Sequence, residues 1–216
     1  MTLLTLDITT SLDGFIAGPN RTVEQPLGDE GERLHEWLFG LASFRERHGL
    51  PGGGESNADD DVLKESLDAT GAILMGRRMF SGGEGGWESD PVADGWWGDE
   101  PPFGVPVFIL THHARETVTK GGGSSYTFVT DGIKAALDRA RAAAGGKNVA
   151  VSGGAGLVQQ YLKAGLLDEI QIHLAPLLLG DGVRLFDDLG PEPPKLELTR
   201  VIESPAVTHL RYRVVK

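Results

Sequence analysis

Apolar and polar residues alternate along the stretch 3–10, where leucine and isoleucine are separated by threonine and aspartate. Because successive strand residues face opposite sides, this pattern predicts a half-buried strand. A second alternating stretch, 195–215, is interrupted only at Pro205-Ala206 and predicts a terminal antiparallel hairpin. Short apolar runs predict further, buried strands at 71–75, 105–110, 126–129, 149–151 and 170–174.

Other stretches carry apolar residues at helical spacing. They predict helices over 59–69, over 130–144, and from the glycine turn at 152–154 to about 162. Strands joined by helices require a mostly parallel sheet that is covered on both faces. We therefore predict an α/β fold of three layers, in which a mostly parallel central sheet is flanked by helices and ends in the C-terminal antiparallel hairpin.

We predict a single domain over 1–216 with two irregular segments. The glycine- and proline-rich segment 18–57 is predicted to be an insertion, or flap, that contains one short amphipathic helical stretch at 33–44. The segment 81–102 is rich in glycine and tryptophan. It is predicted to be either a mobile lid or an interface anchor.

The composition indicates which binding partners and which cellular location to expect. A formal net charge of −11 disfavours binding to nucleic acid or to anionic membranes. No apolar run is long enough for a membrane span or a signal peptide, and there is no cysteine, so we expect a cytoplasmic protein. The adjacent His112 and His113 point to opposite faces of a strand, and with no other cluster of ligands we expect no metal site.

The stretch 149–162 places a strand, a glycine turn and a helix start in direct succession. Its first three residues are apolar, Ser152-Gly153-Gly154 breaks the run, and helical spacing resumes at Leu157. Uncovered backbone N–H groups at the positive end of a helix dipole suit the pyrophosphate of a nucleotide. The alternative is a tight turn without a ligand. The dinucleotide motif G-x-G-x-x-G is incomplete, since Gln159 stands at the third glycine position.

Two arginines, Arg77 and Arg78, follow the strand 71–75 and Gly76 at a point where a helix begins. Cations at the positive end of a helix dipole cost energy unless an anion neutralises them, and the guanidinium fork suits a phosphate. The arrangement predicts an anion site. The alternative is that both arginines pair with surface carboxylates.

Two further polar positions are candidates for contact with a ligand. Thr111 lies at the carboxyl end of the strand 105–110, where its hydroxyl can donate to a bound molecule. The run Asp59-Asp60-Asp61 opens the helix 59–69, and acidic residues in a first turn complement the helix dipole. These aspartates either cap the helix, or one of them reaches a substrate.

Three motifs occur in a fixed order: Ser11-Leu12-Asp13-Gly14-Phe15-Ile16-Ala17, Leu74-Met75-Gly76-Arg77-Arg78 and Val151-Ser152-Gly153-Gly154-Ala155-Gly156-Leu157. With the later loop 178–182 and the terminal hairpin, the chain resembles the dihydrofolate reductase-like superfamily. It is most similar to the branch of the C-terminal reductase domain of bifunctional riboflavin biosynthesis deaminase-reductases. The resemblance covers nearly the whole chain apart from the two irregular segments, and it implies a reductase that binds NADPH along the carboxyl ends of the sheet.

The resemblance also implies which positions contact NADPH. Arg77 and Arg78, next to Gly76, would hold the adenosine 2′-phosphate, and Thr111 would lie on the adenosine side. The glycine turn, whose Gly-Gly peptide is often cis in such proteins, would meet the pyrophosphate and the nicotinamide ribose through Gly153, Gly154, Ala155, Gly156 and Leu157. The nicotinamide would be bordered by Ile16, Ala17, Gly180 and Asp181.

The implied reaction is hydride transfer from NADPH to a small polar or heteroaromatic substrate, pterin-like or ribosylaminopyrimidine-like. The accompanying proton would come from Asp60, from Asp13 or from water. Asp60 lies near the place of the carboxylate that folate reductases use. Two alternatives are a non-catalytic dimeric nucleotide-binding protein on the same scaffold and a reductase that uses flavin. In each case the terminal strands could pair subunits, so we expect a homodimer.

Overall fold

A computed structural model of the chain describes residues 2–187 and 189–216. The strands are β1 (Leu4–Ser11), β2 (Phe15–Ala17), β3 (Thr70–Gly76), β4 (Pro106–Leu110), β5 (Val118–Thr119), β6 (Ser125–Val129), β7 (Asn148–Gly153), β8 (Glu169–Ala175), β9 (Val183–Arg184), β10 (Lys195–Glu203) and β11 (Thr208–Val215). The α-helices are α1 (Glu36–Phe39), α2 (Ala42–Arg47), α3 (Ala58–Ala69), α4 (Arg77–Ser81), α5 (Gly132–Ala143) and α6 (Ala155–Lys163).

Nine strands form one sheet in the order β10-β11-β8-β1-β7-β3-β4-β6-β5. The six strands from β8 to β6 in this order are parallel. The hairpin of β10 and β11 adds to β8 in antiparallel sense, and β5 adds to β6 at the opposite edge. The mostly parallel α/β fold with a closing antiparallel hairpin is thereby confirmed. A separate two-stranded sheet pairs β2 with β9.

Helices α5 and α6 cover one face of the sheet and bury the largest core cluster. Leu4, Leu6 and Val151 are fully buried there because they occupy alternate positions of their strands. The two helices also contact each other through a hydrogen bond, since the hydroxyl of Tyr161 donates to the carbonyl oxygen of Ile133 at 2.9 Å. This face is therefore a conventional apolar layer.

The other face is covered by three different parts of the chain. Helix α3 and the flap lie over β1, β8 and β11, and the residues after α4 lie over β3, β4 and β6. An aromatic cluster forms under these residues, with Phe80 packed edge-on against Tyr126 and Phe128. The segment that we call the tryptophan loop (residues 82–102) contributes Trp87 and Trp97 to the cluster and is irregular, as predicted.

The flap differs from the single amphipathic helix predicted over 33–44. It contains a 3-10 turn at Gly31–His35, then α1 and α2. The helix is interrupted because the backbone around Gly40 bonds to Glu55 instead of continuing a helical ladder: Glu55 N donates to Gly40 O at 2.8 Å, and Ala42 N donates to Glu55 O at 2.9 Å. Leu41 is extended and buried between these bonds.

Asp59, Asp60 and Asp61 lie in the first turn of α3, where their charges complement the helix dipole, but none of them is the N-cap residue. Asn57 is the N-cap, and its side-chain oxygen accepts hydrogen bonds from the amides of Asp59 and Asp60 at 3.0 and 3.1 Å. The cap is therefore supplied by the preceding residue. Asp59 and Asp60 are instead buried, and their carboxylates are used in contacts with other elements.

Within the described residues, none of the helices combines the length and the apolar character that a membrane crossing requires.

The packing at the start of β3 leaves no room for a side chain at Gly71. A Cβ there would overlap the carbonyl oxygen of Ala144 and lie 2.9 Å from Cβ of Lys147. We expect Gly71→Ala to lower the free energy of unfolding by about 1–3 kcal/mol in urea titrations. Gly53→Ala is the matched control, because a Cβ at Gly53 meets nothing within 4 Å and the change should stay within about 0.5 kcal/mol. Equal stabilities of the two variants would contradict this packing.

Candidate functional site

The carboxyl ends of β3 and β7 meet in a close backbone contact. A Cβ at Gly76 would lie 3.5 Å from Gly153 O and 3.6 Å from Gly154 N. Because neither strand ends in a bulky residue, the starts of α4 and α6 lie side by side at this edge. The motif around Gly76 and the motif around Gly153 are therefore neighbours in space, although they lie far apart in the sequence. In an open parallel sheet this edge is where ligands bind.

The glycine turn between β7 and α6 faces open space. Its Gly153–Gly154 peptide bond is cis, as the resemblance implies. A Cβ at Gly154 or at Gly156 would meet no atom within 4 Å. The first turn of a helix leaves backbone N–H groups without intrahelical partners, so the start of α6 presents donors to this space. The side chains of Ala155 and Leu157 are buried, and the amide of Leu157 is already used, since it donates to Gly154 O at 3.0 Å.

Both arginines of the predicted anion site are paired with carboxylates. Arg77 is buried and forms an ion pair with Asp90, whereas Arg78 is exposed and pairs with Glu84. The guanidinium of Arg77 also stacks on Trp87, with its central carbon 3.6 Å from the ring centroid. Both arginines therefore pair with carboxylates, which is the alternative to an anion site. The alternative expected surface carboxylates, but the side chain of Asp90 is buried. A phosphate-binding role for either arginine stays a prediction.

Thr111 follows β4 at the same edge and is buried. Its hydroxyl oxygen accepts a hydrogen bond from His113 N at 3.1 Å, which leaves the hydroxyl proton for another acceptor. The indole N–H of Trp87 donates to His113 O at 2.9 Å. The tryptophan loop therefore covers the adenosine side that the resemblance assigns to Thr111 and Arg77.

The residues predicted to border the nicotinamide come together on β2 and the loop before β9. Ile16 and Ala17 lie on β2, which pairs with β9 directly after Gly180 and Asp181. Gln159 of α6 donates to Leu185 O at 3.1 Å and so links this group to the helix of the glycine turn. The residues predicted to border the nicotinamide therefore lie near α6, and those predicted to contact the adenosine lie near α4.

Asp13 holds the 177–182 loop in place. Its carboxylate accepts hydrogen bonds from the amides of Leu179 at 3.2 Å and Gly180 at 2.7 Å. A hydrogen bond from the side chain of Ser11, together with these amides, lowers the pKa of Asp13 to about 2. Asp13 is ionised at neutral pH, which opposes the predicted role as proton donor and favours a structural one.

Asp60 is buried at the first turn of α3 and accepts a hydrogen bond from Ser43 N at 2.7 Å. This bond ties the flap to α3. Asp60 is the predicted proton donor, and that role stays a prediction.

A chain of four polar side chains, three buried and one half-buried, lies next to Asp60, between α3 and the sheet. The ring Nδ1 atoms of His173 and His209 are 2.6 Å apart. Nε2 of His173 lies 2.5 Å from an oxygen of Asp7, and Nε2 of His209 lies 2.7 Å from an oxygen of Asp59. Sequence patterns did not reveal this chain, because its members come from β1, α3, β8 and β11.

The three contacts in this chain require three protons, one for each pair of heavy atoms. Burial raises the pKa of Asp7, but the charge and hydrogen bond of His173, with bonds from Ser66 and Gln171, bring it below its usual range. Burial lowers the pKa of His209 by more than its bond to Asp59 raises it. Each carboxylate accepts from the Nε2 that faces it, and across the contact between the two Nδ1 atoms one ring donates and the other accepts.

The flap covers this chain through Trp37. The indole ring centroid lies 4.8 Å from that of His173 and 5.5 Å from that of His209, and its N–H donates to Thr9 at 3.1 Å. Both histidines are 3% exposed, so they exchange little with bulk water. Trp37 of the flap and Asp59 of α3 thus enclose a hydrogen-bonded pair of imidazoles.

The lowered pKa of His209 predicts that stability falls in acid. Below pH of about 6.5 the unfolded state binds a proton that the folded His209 resists, so the free energy of unfolding decreases as pH falls. The slope from one such group is at most about 1.4 kcal/mol per pH unit. We expect His209→Asn to reduce the slope between pH 7 and pH 5 in urea titrations. Some slope remains, because burial also lowers the pKa of His35.

His112→Asn is the control for this experiment, since His112 is exposed. It should leave the pH dependence of unfolding unchanged. An equal slope in the wild type and in His209→Asn would show that His209 is not the group that titrates.

Comparison with known proteins places the chain among riboflavin biosynthesis proteins and their relatives. It is 23% identical over 194 residues to the uncharacterised Bacillus subtilis protein YyaP, which covers 85% of this chain and 80% of that protein. It is 34% identical over 113 residues to YwjB of the same organism, and this match covers 50% of this chain and 63% of that protein. A 55-residue stretch is 46% identical to the riboflavin biosynthesis protein RibD of Corynebacterium ammoniagenes, covering 24% of this chain and 16% of that protein.

Solved structures share the fold. A putative riboflavin biosynthesis protein from Shewanella sp. PV-4 superposes over 100% of both chains with a TM-score of 0.64 and 23% identity. The Thermotoga maritima diaminohydroxyphosphoribosylaminopyrimidine deaminase/5-amino-6-(5-phosphoribosylamino)uracil reductase matches 99% of this chain and 57% of its own length, with a TM-score of 0.56 and 14% identity. The family of the RibD C-terminal domain matches residues 2–210, and the chain belongs to that family.

Proposed function

We propose that the protein is a reductase that binds NADPH at the carboxyl edge of the sheet and transfers a hydride to a small heteroaromatic substrate, ribosylaminopyrimidine-like or pterin-like. Membership of the RibD C-terminal domain family points to an oxidoreductase of the riboflavin-pathway type. The observation that carries the cofactor assignment is the glycine turn, where the start of α6 faces open space at Gly154 and Gly156. Backbone amides in such a space fit a pyrophosphate.

Bound NADPH would supply the hydride, and the residues of this chain would position it. The amides at Gly154, Ala155 and Gly156 would hold the pyrophosphate, and Arg77 and Arg78 are the cations available to the 2′-phosphate. Two unpartnered buried nitrogens of Arg77, Nε and Nη1, fit such a group. Alignment of the reacting rings and exclusion of water by the flap would lower the barrier.

Reduction of an imine or a carbonyl also requires a proton. Asp60 is the proposed donor, with water as the alternative. The hydrogen-bonded imidazoles of His173 and His209 reach the first turn of α3, where Asp59 and Asp60 are adjacent. Asp13 is the least suited of these carboxylates because its pKa is about 2.

Occupying the space above the glycine turn tests the cofactor assignment. We expect Gly156→Val to fold normally, because a Cβ at Gly156 meets nothing within 4 Å, and to weaken NADPH binding by about 10-fold or more in fluorescence titrations. Gln160→Val, one turn further along the exposed face of α6, should leave the dissociation constant unchanged. Unimpaired binding by Gly156→Val would remove NADPH from this turn.

A non-catalytic protein that binds a nucleotide or another ligand is the second candidate, and the low pKa of Asp13, one of the two predicted proton donors, favours it. Oxidation of NADPH in the presence of an aminopyrimidine, a pterin or a quinone separates the two functions. A reductase consumes NADPH above the background rate with at least one of them. A binding protein shows a change in nicotinamide fluorescence without turnover.

We also propose that β10 pairs two copies of the chain into a homodimer. It is an edge strand, and Leu196, Leu198 and Val201 are 43–54% exposed on it. Unpaired strand edges with apolar residues favour pairing with another strand. A cytoplasmic location also stays a prediction.

The dimer predicts that a charge on β10 dissociates the subunits. Leu198→Glu should shift the mass measured by light scattering from that of two chains to that of one at micromolar concentration. Phe39→Glu, at an exposed apolar residue of the flap, should remain dimeric. A wild-type protein of monomeric mass would refute the interface.

A further inference from the structure

The tryptophan loop supplies carboxylates to both arginines of the predicted phosphate site. Asp90 pairs with Arg77 and Glu84 pairs with Arg78. The loop contains six acidic residues and no lysine or arginine: Glu84, Glu88, Asp90, Asp94, Asp99 and Glu100. A loop of this charge competes with an anionic ligand for the same cations.

Asp90 occupies a set of donors that would also suit a phosphate. Its side chain is 2% exposed, and it accepts the ion pair from Arg77 and a hydrogen bond from Ser81 Oγ at 2.7 Å on one oxygen. Its other oxygen accepts from Val92 N at 3.0 Å. A guanidinium and a hydroxyl converging on one buried carboxylate oxygen form a compact anion site, which the chain fills with its own side chain.

Arg77 is only partly satisfied by this partner. Its Nε and Nη1 are buried and have no hydrogen-bond partner among the described residues. The stacked ring of Trp87 covers the guanidinium plane without accepting these N–H groups in the plane. A phosphate has more acceptor oxygens than the single oxygen that Asp90 presents, so it can engage donors that the carboxylate leaves unused.

We infer that Asp90 is an internal competitor for the 2′-phosphate of the dinucleotide and sets the preference between NADPH and NADH. The inference rests on the proposed function. Asp90 holds Nη2 of Arg77, so a 2′-phosphate that binds across Nη2 and the unused nitrogens displaces Asp90, and the displaced carboxylate is repelled by the phosphate. NADH lacks the phosphate and leaves the pair of Arg77 and Asp90 intact. The wild-type protein therefore discriminates little between the two nucleotides.

Removal of the charge at Asp90 tests this competition directly. Dissociation constants for NADPH and NADH are measured by calorimetry on the wild type, Asp90→Asn and the control Asp94→Asn. Asp94 lies on the same loop, pairs with Arg115 and is 72% exposed. We expect Asp90→Asn to tighten NADPH binding by about 10-fold and NADH binding by less than about 2-fold. Asp94→Asn should change neither constant.

Gly83→Ala is a second variant that retains the carboxylate but moves it. A Cβ at Gly83 would overlap Oδ2 of Asp90 and lie 3.1 Å from Nη2 of Arg77, so the ion pair must open. It should also favour NADPH over NADH relative to the wild type. This variant decides the question if Asp90→Asn fails to fold, which circular dichroism would reveal.

The outcomes separate this inference from the proposed function. Selective tightening of NADPH in Asp90→Asn and Gly83→Ala supports the competition. The inference is overturned if the wild type binds NADPH much more tightly than NADH. It is also overturned if either variant changes the two dissociation constants equally. In both cases the proposed nucleotide site is retained. Absence of binding of either nucleotide to every variant overturns both.

Discussion

The close approach of β3 and β7 at their carboxyl ends determines the geometry of the candidate site. A Cβ at Gly76 would be in ordinary van der Waals contact with the backbone of Gly153 and Gly154, at 3.5 and 3.6 Å. Because β3 and β7 are paired in parallel, α4 and α6 begin next to each other at the same edge. The α/β topology therefore brings the two helix starts together.

Electrostatics at this edge follow from the acidity of the whole chain. The chain has a net charge of −11, and the buried Arg77 and the exposed Arg78 are each paired with a carboxylate. The backbone N–H groups at the start of α6 are a second source of positive potential at this edge. Affinity for an anionic cofactor then depends on how the acidic tryptophan loop is arranged.

Hydrophobic periodicity was sufficient to predict the long strands, α3, α5, α6 and the terminal hairpin. In a layered fold each of these elements buries one face, and this burial requires apolar residues at regular spacing. It failed at 33–44, where the backbone bonds to Glu55 across a loop, and such bonding has no periodic signature. The chain of buried histidines was also missed. His209 and Asp59 are 150 positions apart, and a polar residue in an alternating strand is indistinguishable in sequence from a solvent-facing one. The order of the motifs was sufficient to predict the glycine turn. It did not predict that Arg77 pairs with Asp90.

The position of β1 in the sheet has a consequence for synthesis of the protein. β1 precedes both of its neighbours along the chain, since they lie within residues 148–175, and the buried imidazoles beside Asp7 are completed only by β11. During synthesis β1 therefore stays unpaired, and the carboxylate of Asp7 uncompensated, until residues 148–215 have been made. Formation of the central sheet depends on contacts between distant residues, which form slowly.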